Sequence, residues 1–453
     1  MAPSPALAGA YLDSAHGHTT TGVSRTSLNN VTAPANYSTG NCAHCHEQHA
    51  SVSGSSTGEP LPTGGPDSYL GMEIEQDLCL HCHGRGGNTP LDKPDDIKID
   101  IEKNYGHGPL TLSTPSPMEE TGVHRARETS VTAISTDPHV ECTDCHNPHV
   151  ARKLATRSKG SNAISNPNPL EGVSGIDFDI YPTWSAAGTP NIGGYSTADK
   201  EYKICFKCHS SANTNLASWD NPAGGPLEWT DVAKEFNPAN KSFHPVITGL
   251  GSGSSNSTPL AAAQMKTAWK NVGSQTMYCS DCHAGETATG PHGSSMRWML
   301  AGPNKAWPFT QAQYNGASPS PAVYRTLGEW DNNKDTANGT FCNNCHAIST
   351  TGTDNEAHNP MQHENSTRCV DCHIRIPHGG KVSRLIAADN NATFTNLPAR
   401  YTPDGNGHNS FGGTAPIVRK FTKAPTPAAY DRTSCYVPSC AYHNSSSYGN
   451  ESW

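Results

Sequence analysis

The stretch that decides the fold is Cys142-Thr143-Asp144-Cys145-His146-Asn147-Pro148-His149. Two cysteines separated by two residues and followed directly by histidine are the pattern that attaches c-type haem. The two thiols add across the vinyl groups of the porphyrin, and the histidine ligates the iron. This Cys-x-x-Cys-His pattern occurs seven times in the chain. The thiols predicted to attach haem are Cys42, Cys45, Cys79, Cys82, Cys142, Cys145, Cys205, Cys208, Cys279, Cys282, Cys342, Cys345, Cys369 and Cys372. The predicted proximal iron ligands are His46, His83, His146, His209, His283, His346 and His373.

The cysteine count favours haem over zinc or a disulfide framework, because 14 of the 16 cysteines lie in the motifs. Structural zinc sites bring two such motifs together and do not require a histidine after each one. The two remaining cysteines are Cys435 and Cys440, and His443 follows three residues later. They predict either a disulfide that closes a small C-terminal loop or an eighth haem with an expanded motif. The disulfide is the favoured interpretation because the histidine is not adjacent to the second cysteine. The expected cofactors are therefore seven c-type haems, with an eighth as the alternative.

The composition indicates how such a chain can fold. Only 34% of its 453 residues are hydrophobic and 7% are aromatic, while 42 glycines and 35 prolines interrupt it. A chain of this composition buries too little apolar surface to offset the entropy lost on folding, and the porphyrins would supply the missing core. We therefore expect mostly irregular coil with a few short helices and minimal strand, wrapped around a chain of covalently attached haems. The whole of residues 1–453 is expected to form one elongated unit.

A few segments carry signals for regular structure. Residues 258–269 begin with a capping threonine and a proline and predict a helix, and shorter helices are expected over 230–236 and 322–330. Residues 72–83 are expected to carry the second motif on a helix. Alternation of apolar and polar residues predicts a short strand over 97–101.

Each haem iron needs a second axial ligand, and histidine is the natural source of it. The chain has 23 histidines, of which seven lie in the motifs, while its eight methionines show no ligand pattern. Bis-histidine coordination is therefore expected, with reduction potentials below those of Met/His cytochromes. His49 and His149 lie three residues after a motif histidine, where one short turn can serve two adjacent haems. The predicted distal ligands are His16, His49, His107, His139, His149, His244, His292, His358 and His378.

Charge and hydropathy limit the partners and the location. The formal net charge is −9 and the chain contains no basic run, which excludes a nucleic-acid partner. No stretch reaches the roughly 18 apolar residues of a transmembrane helix. Haem attachment of this kind belongs to the periplasmic side in bacteria, so we expect that a signal peptide has been removed. The expected location is secreted, extracellular or on the outer surface, with the periplasm as the alternative.

Four stretches around the histidines resemble a known family: Ser14-Ala15-His16-Gly17 and residues 41–50, 139–149 and 369–379. They are similar to the multihaem outer-surface cytochromes of metal-reducing bacteria. Some members of that group polymerise into extracellular filaments with a continuous haem chain. In such filaments a histidine near the N-terminus of one subunit ligates a haem of the next, and the resemblance implies this role for His16. The C-terminal cysteine pair departs from the usual motif, so the resemblance leaves the haem number open.

The predicted function is an extracellular electron conduit, in which electrons pass through stacked bis-histidine haems and no catalytic residue is required. Polymerisation into a conductive filament is a hypothesis within this class. The expected partners are other copies of the chain, redox partner cytochromes and extracellular electron acceptors. One alternative is a periplasmic electron shuttle that does not polymerise. Another is a multihaem reductase with one open haem, which the seven motif histidines disfavour.

Overall fold

A computed structural model of the chain describes residues 10–24, 37–46, 75–84, 96–103, 105–107, 140–153, 157–183, 191–212, 231–251, 257, 259–304, 341–347, 373–374, 377–386, 420–421 and 435–436. The helices within these ranges are α1 (Glu75–His83), α2 (Lys98–Ile101), α3 (Cys142–Cys145), α4 (Glu201–Cys205) and α5 (Val232–Glu235). Single 3₁₀ turns lie at Cys42–His44, Ala262–Gln264, Thr267–Trp269, Cys279–Asp281, Arg297–Met299, Phe341–Asn344 and Ser383–Leu385. No described helix has the length and apolar character needed to cross a membrane, in agreement with the sequence-based expectation.

The strands of the described residues form antiparallel ribbons of two strands each. The ribbons are β1 (Tyr105–Gly106) with β5 (Gly293–Ser294), β2 (Ser174–Ile180) with β3 (Asn191–Thr197), β4 (Ser242–Phe243) with β6 (Gly379–Gly380), and β7 (Lys420–Phe421) with β8 (Cys435–Tyr436). Only β2 and β3 are long enough to form an extended ladder. The β1–β5 and β4–β6 ribbons instead join segments that are far apart in the sequence, and both ribbons adjoin predicted iron ligands.

The main apolar cluster lies between the fourth and fifth motifs. Ile176 and Phe178 are two residues apart on β2, so their side chains point to the same face, and both are buried. Tyr202 and Phe206, one helical turn apart at α4, complete the centre of the cluster, with the ring centroids of Phe178 and Phe206 6.2 Å apart. Its other members are Ala212, Ala233, Phe236, Val246, Ile247, Met265, Trp269 and Met277. Three motif cysteines, Cys279, Cys282 and Cys345, pack against it, so this cluster positions the fifth and sixth motifs.

A buried carboxylate fastens α2 to the loop after the fifth motif. Asp100 is fully buried and accepts hydrogen bonds from the backbone amides of Thr287, at 3.1 and 3.0 Å, and Ala288, at 2.7 Å. Lys103 approaches the same carboxylate at 2.6 Å and that of Glu286 at 2.9 Å. Burial acts to raise the pKa of Asp100, but the hydrogen bonds from Lys103 and the two amides outweigh it and lower the pKa. The carboxylate is therefore ionised, and it fixes the loop that leads to His292.

A second buried carboxylate joins the fourth motif to the fifth. Glu201, in the first turn of α4, accepts from the amide of Ser280 at 2.8 Å and from its hydroxyl at 2.6 and 2.7 Å. Burial raises the pKa of Glu201, while the charge of Arg157 and the serine hydrogen bonds oppose that rise. Arg157 also approaches Asp281 at 3.4 Å, and Lys159 reaches the same carboxylate at 2.6 Å. These contacts fix the turn of the fifth motif against the helix of the fourth.

The local predictions have mixed outcomes. The helix expected to carry the second motif is confirmed as α1, and α5 lies within the helix expected over 230–236, where Asp231 accepts from the amide of Lys234. The strand predicted over 97–101 is wrong. That segment is the helical turn α2, because the buried contacts of Asp100 override the alternating pattern. The segment 322–330 lies outside the described residues.

The single helix predicted over 258–269 is also wrong. The segment contains two 3₁₀ turns, Ala262–Gln264 and Thr267–Trp269, separated by residues with extended backbone. Between them the amide of Lys266 donates to the carbonyl of Cys345 at 2.8 Å, so a contact with the sixth motif replaces the hydrogen bond that a continuous helix would make.

We predict that Asp100→Asn lowers the free energy of unfolding by about 1–3 kcal/mol, because the amide cannot satisfy two backbone donors and the Lys103 ammonium. Urea unfolding of the full chain measures the loss. The pKa of Asp100 is lowered in the fold, so its stabilisation is present above the unfolded pKa of about 3.9 and is lost as the pH falls below it. The variant should therefore lose less stability than the native chain on acidification.

Glu102→Gln is the matched control on the same helical segment. Glu102 is exposed and lies 3.9 Å from Lys98, so its removal should change stability by less than about 1 kcal/mol. Equal losses in the two variants would contradict the role given to Asp100.

Candidate metal centres

The described motifs share one local conformation. In five of them the backbone amide of the motif histidine donates to the carbonyl of the first cysteine, four residues earlier. The pairs are His46 to Cys42, His146 to Cys142 and His209 to Cys205 at 2.9 Å, and His283 to Cys279 and His346 to Cys342 at 3.0 Å. The second motif lies within α1. Because residues three and four apart share one face of a helical turn, both thiols and the imidazole of a motif project to the same side.

Six motif histidines each lie opposite a histidine from outside the motifs. The pairs are His46 with His149, His83 with His16, His146 with His292, His209 with His107, His283 with His378, and His346 with His244. The ring centroids are 5.8 to 6.1 Å apart in all six pairs. All six partners belong to the set of predicted distal ligands, so the structure brings these candidates together with the motifs.

The spacing of these rings fits two ligands of one metal ion. Metal–nitrogen bonds to histidine are about 2 Å long, so two imidazoles that bind one ion from opposite sides have their centroids about 6 Å apart. Contacts between aromatic rings alone span a wider range of about 4.5–7 Å. In this protein the spacing is nearly constant, whereas the angle between the rings varies from 10° in one pair to 76° in another. A shared central atom fixes the distance and leaves the rotation of each ring open.

Three of the non-motif rings contact a backbone carbonyl through Nδ1. Nδ1 of His16 lies 3.1 Å from the carbonyl of Pro148, and Nδ1 of His107 lies 2.8 Å from that of Pro291. Nδ1 of His244 contacts the carbonyl of Pro377 in the same way. A carbonyl oxygen only accepts, so these rings carry the proton on Nδ1 and present an unprotonated Nε2. Histidine ligands of metals are generally oriented by such a bond from the second nitrogen.

Several motif histidines are oriented similarly. Nδ1 of His146 donates to the carbonyl of Pro169 at 3.0 Å. In the same way, Nδ1 of His283 donates to the carbonyl of Trp298 at 2.6 Å, and Nδ1 of His373 donates to that of Arg384 at 3.0 Å. Trp298 and Arg384 have positive φ values of 59° and 61°. Non-glycine residues in this region are strained, so the surrounding structure must hold these two carbonyls in place.

The three proline carbonyls that orient His16, His107 and His244 have a common position in the sequence. Each proline directly precedes another of the paired histidines, which are His149, His292 and His378. In addition, the amide of His107 donates to the carbonyl of His292 at 3.2 Å, and that of His244 to the carbonyl of His378 at 2.8 Å. These bonds extend the β1–β5 and β4–β6 ribbons. Each of these prolines therefore links two histidine pairs. The pair of His16 is linked to that of His149, the pair of His107 to that of His292, and the pair of His244 to that of His378.

The order of these residues repeats along the chain. We define a unit as a histidine, a motif, a second histidine and a second motif. The three units run from His16 to His83, from His107 to His209 and from His244 to His346, with His49, His149 and His292 as their second histidines. The first histidine of each unit pairs with the second motif of its own unit.

The second histidine follows a different rule, because it pairs with the first motif of the preceding unit. His149 faces His46, His292 faces His146, and His378 faces His283. His378 thus takes the position of a second histidine in a fourth unit, which would begin at His358 and contain the seventh motif. In that order Cys435 and Cys440 would follow His378, where the three complete units have their second motif.

Electrostatic contacts place neighbouring pairs in the order of the motifs. We number the pairs by the motif that each contains. Burial, and then the charges of His46 and His16, lower the pKa of His149, so the first pair is electrostatically coupled to the second. Burial lowers the pKa of His292 to about 4, and the charges of His107 and His83 contribute. Because His107 belongs to the fourth pair and His83 to the second, the third pair is electrostatically coupled to both.

The remaining pairs continue the same row. Burial lowers the pKa of His209 to about 3, with contributions from His283 and His378, so the fourth pair adjoins the fifth. Burial and the charge of His378 also lower the pKa of His244, which relates the fifth pair to the sixth. Each of the six pairs is therefore electrostatically coupled to the next pair in the order in which their motifs occur in the sequence.

The motif thiols lie in apolar surroundings. Burial raises the pKa of Cys145, Cys208 and Cys345 to about 12, so the neutral form is strongly favoured. Uncharged sulfur, as in a thioether bond to a porphyrin, suits these positions, whereas a zinc ligand is a thiolate. Possible ligand atoms of Glu201, Cys205 and Cys279 lie within 4.8 Å of one another. This group brings together the first cysteines of the fourth and fifth motifs, both predicted to attach haem.

Some predicted site residues lie outside the described part of the chain. These are His49, His139, His358, Cys369, Cys372, Cys440 and His443, while Cys435 is described only through its strand. The ring of His16 lies 6.0 Å from that of His83 in the same chain, and the role between copies implied for His16 stays a prediction. Sequence reasoning missed the orienting carbonyls, although the repeated Pro-His dipeptide at residues 148–149, 291–292 and 377–378 was a visible signal.

None of the protein-family models, curated proteins or solved structures compared with the chain matches it significantly. The candidate centres therefore rest on the motifs and on the geometry of the histidine pairs.

We predict that His292→Ala converts one centre of the haem-loaded protein to a five-coordinate, high-spin state. The variant removes the ring opposite His146, so one iron keeps a single histidine ligand. The electron paramagnetic resonance (EPR) spectrum of the oxidised protein should gain one high-spin component. His18→Ala is the control, because Nδ1 of His18 accepts from the amides of Thr20 and Thr21 in a local turn. An unchanged low-spin spectrum in His292→Ala would contradict the pairing.

Proposed function

We propose that this protein is a multihaem c-type cytochrome that carries electrons along a row of bis-histidine haems. The observation that supports this most directly is the pairing of six motif histidines with six others at 5.8 to 6.1 Å, in the order of the motifs. The cysteines of each motif would hold the porphyrin, and the two histidines of each pair would ligate its iron. When bound, haem supplies reversible one-electron transfer.

The chain itself has structural tasks in this proposal. Its carbonyls orient the imidazoles, its motif turns direct thiols and histidine to one side, and its buried carboxylates fix the segments that carry them. Three of the links between neighbouring centres run through one Pro-His peptide group and one hydrogen bond, which limits the separation of those centres. Electron transfer between fixed centres requires no substrate site, and the protein is proposed not to be an enzyme.

The reductase alternative is less well supported. Such an enzyme requires an iron with an open axial position, whereas the six pairs described here each offer two histidines to one ion. The proposed setting is extracellular or on the outer surface, with redox partner cytochromes as donors and extracellular electron acceptors as recipients. The alternative is a periplasmic shuttle with the same haems, which differs from the extracellular conduit in that it does not polymerise.

EPR spectroscopy of the oxidised, full-length protein tests the proposal. Bis-histidine haems with near-parallel and near-perpendicular imidazole planes give different low-spin signals. We expect near-parallel signals from the pairs His46–His149 and His146–His292, whose rings are inclined by 10° and 23°. The other four pairs, inclined by 62° to 76°, should give near-perpendicular signals. A high-spin haem in the native protein would favour the reductase, and a protein that incorporates no haem would exclude the proposal.

The pairing rule also supports assembly into a polymer. The second histidines His149, His292 and His378 each pair with the first motif of the preceding unit. We apply the same rule to His49, the second histidine of the first unit. By this rule His49 would serve the first motif of a further unit. The seventh motif, in turn, would receive its ligand from a unit that follows it. We infer that His49 serves the seventh-motif haem of another copy, so that copies join head to tail.

Electron microscopy of the native and variant proteins tests this assembly. The native protein should form filaments, and His49→Ala should abolish them, because this copy no longer supplies the bridging ligand. A small amount of His49→Ala added to native protein should shorten the filaments, since the variant can end a chain but not extend it. His18→Ala should leave filaments unchanged. Filaments that persist in His49→Ala, or discrete native particles whose haems are all six-coordinate, would contradict head-to-tail joining and favour the shuttle.

A further inference from the structure

One of the six non-motif histidines has a hydrogen-bond partner unlike those of the others described above. Nδ1 of His378 lies 2.5 Å from Oε2 of Glu235, whereas Nδ1 of His16, His107 and His244 contacts a backbone carbonyl. The Glu235 side chain has no exposed surface. A fully buried carboxylate is thus in direct contact with a predicted iron ligand.

The contact is held by the backbone on both sides. Glu235 ends α5, and its carbonyl accepts from the side-chain amide of Asn240 at 2.6 Å. A Cβ atom at Gly379 would collide with that same carbonyl, so glycine allows the segment after His378 to approach α5. The ring of Phe236 lies 4.8 Å from the ring of His378, inclined by 32°. The imidazole is therefore positioned by an aromatic face and a carboxylate at once.

The preceding unit provides a natural comparison. His292 occupies the same position in its unit as His378, and it faces His146 as His378 faces His283. Within the described residues Nδ1 of His292 is buried and has no hydrogen-bond partner. The buried acid nearest to this segment, Asp100, binds the amides of the loop before His292 instead. The two equivalent ligands thus differ in the group at Nδ1.

The physical effect of such a carboxylate on an iron ligand has a definite sign. By accepting a hydrogen bond from the Nδ1–H group, it increases the electron donation of the imidazole to the metal. Its negative charge, buried in a medium of low dielectric constant, also stabilises the more positive oxidised centre. Both effects favour the ferric state and lower the reduction potential.

We propose that Glu235 gives the haem of the His283–His378 pair a lower reduction potential than the haem of the His146–His292 pair. This inference rests on the proposed function. Glu235 acts as a positioning and tuning residue, since it contacts a ligand and not the reacting iron. The row of centres then contains an energetic step at its fifth member, so that electrons do not pass along equal potentials.

A redox titration of the full-length haem protein, followed by EPR, tests the inference. The two haems fall in different spectral classes, because the rings of His283 and His378 are inclined by 74° and those of His146 and His292 by 23°. In Glu235→Gln we expect one near-perpendicular component to titrate at a more positive potential, while the near-parallel components stay in place. In the native protein, one near-perpendicular component should titrate below that of the His146–His292 haem.

Two further variants separate the possible outcomes. Glu235→Asp keeps the charge but withdraws the carboxylate from Nδ1, and it should shift the same component in the same direction by a smaller amount. Glu286→Gln is the control, because Glu286 bonds Ser294, Ser295 and Lys103 and should leave every potential unchanged. If the low-spin signals are present and neither Glu235 variant shifts a component, the inference is overturned while the proposed function stands. If no bis-histidine signal is present, the proposed function itself fails.

Discussion

Each histidine pair joins two segments that are distant in the sequence, and the rest of the structure is arranged around these junctions. The described helices are short, the ribbons β1–β5 and β4–β6 have two residues per strand, and the largest apolar cluster adjoins the fourth to sixth motifs. In the proposed holoprotein every pair closes a long loop through a covalently attached cofactor. By the loop-closure argument, a cross-link over about 100 residues removes roughly 4–5 kcal/mol of entropy from the unfolded chain. Six such closures explain how a sequence with few apolar residues can adopt a defined fold.

The Pro-His dipeptide gives this arrangement its regular spacing. The carbonyl of Pro291 orients the ring of His107, and the next residue, His292, belongs to the adjacent pair. The same peptide unit recurs with Pro377 and His378. One peptide group and one hydrogen bond thus position ligands of two centres relative to each other. Positioning by single peptide groups is consistent with a chain that is rich in glycine and proline.

Local patterns in the sequence pointed to candidate members of the site and did not indicate which members face each other. The motifs are defined by spacing, and the predicted distal ligands His107 and His378 lie opposite motif histidines. Which histidine faces which motif depends on long-range topology, so the rule that pairs His149 with His46 could not be derived without the structure. Tertiary contacts also explain the wrong local predictions. Asp100 binds the loop after the fifth motif, and Lys266 binds the sixth motif, so neither segment adopts the structure that its local pattern predicts. The contact of Glu235 with His378 has no sequence signal, because the two residues are 143 positions apart.

The displacement of each second histidine by one unit has a consequence for biogenesis. If the chain is exported N-terminus first and loaded with haem as proposed, its motifs would become available for haem attachment in sequence order. The haem of a second motif would then find its histidine already exported, as His16 precedes His83. The haem of a first motif would lack its second histidine until the following unit is exported, as His149 follows His46. Maturation would thus proceed as a relay, in which each newly exported unit completes its predecessor and leaves its own first centre unfinished.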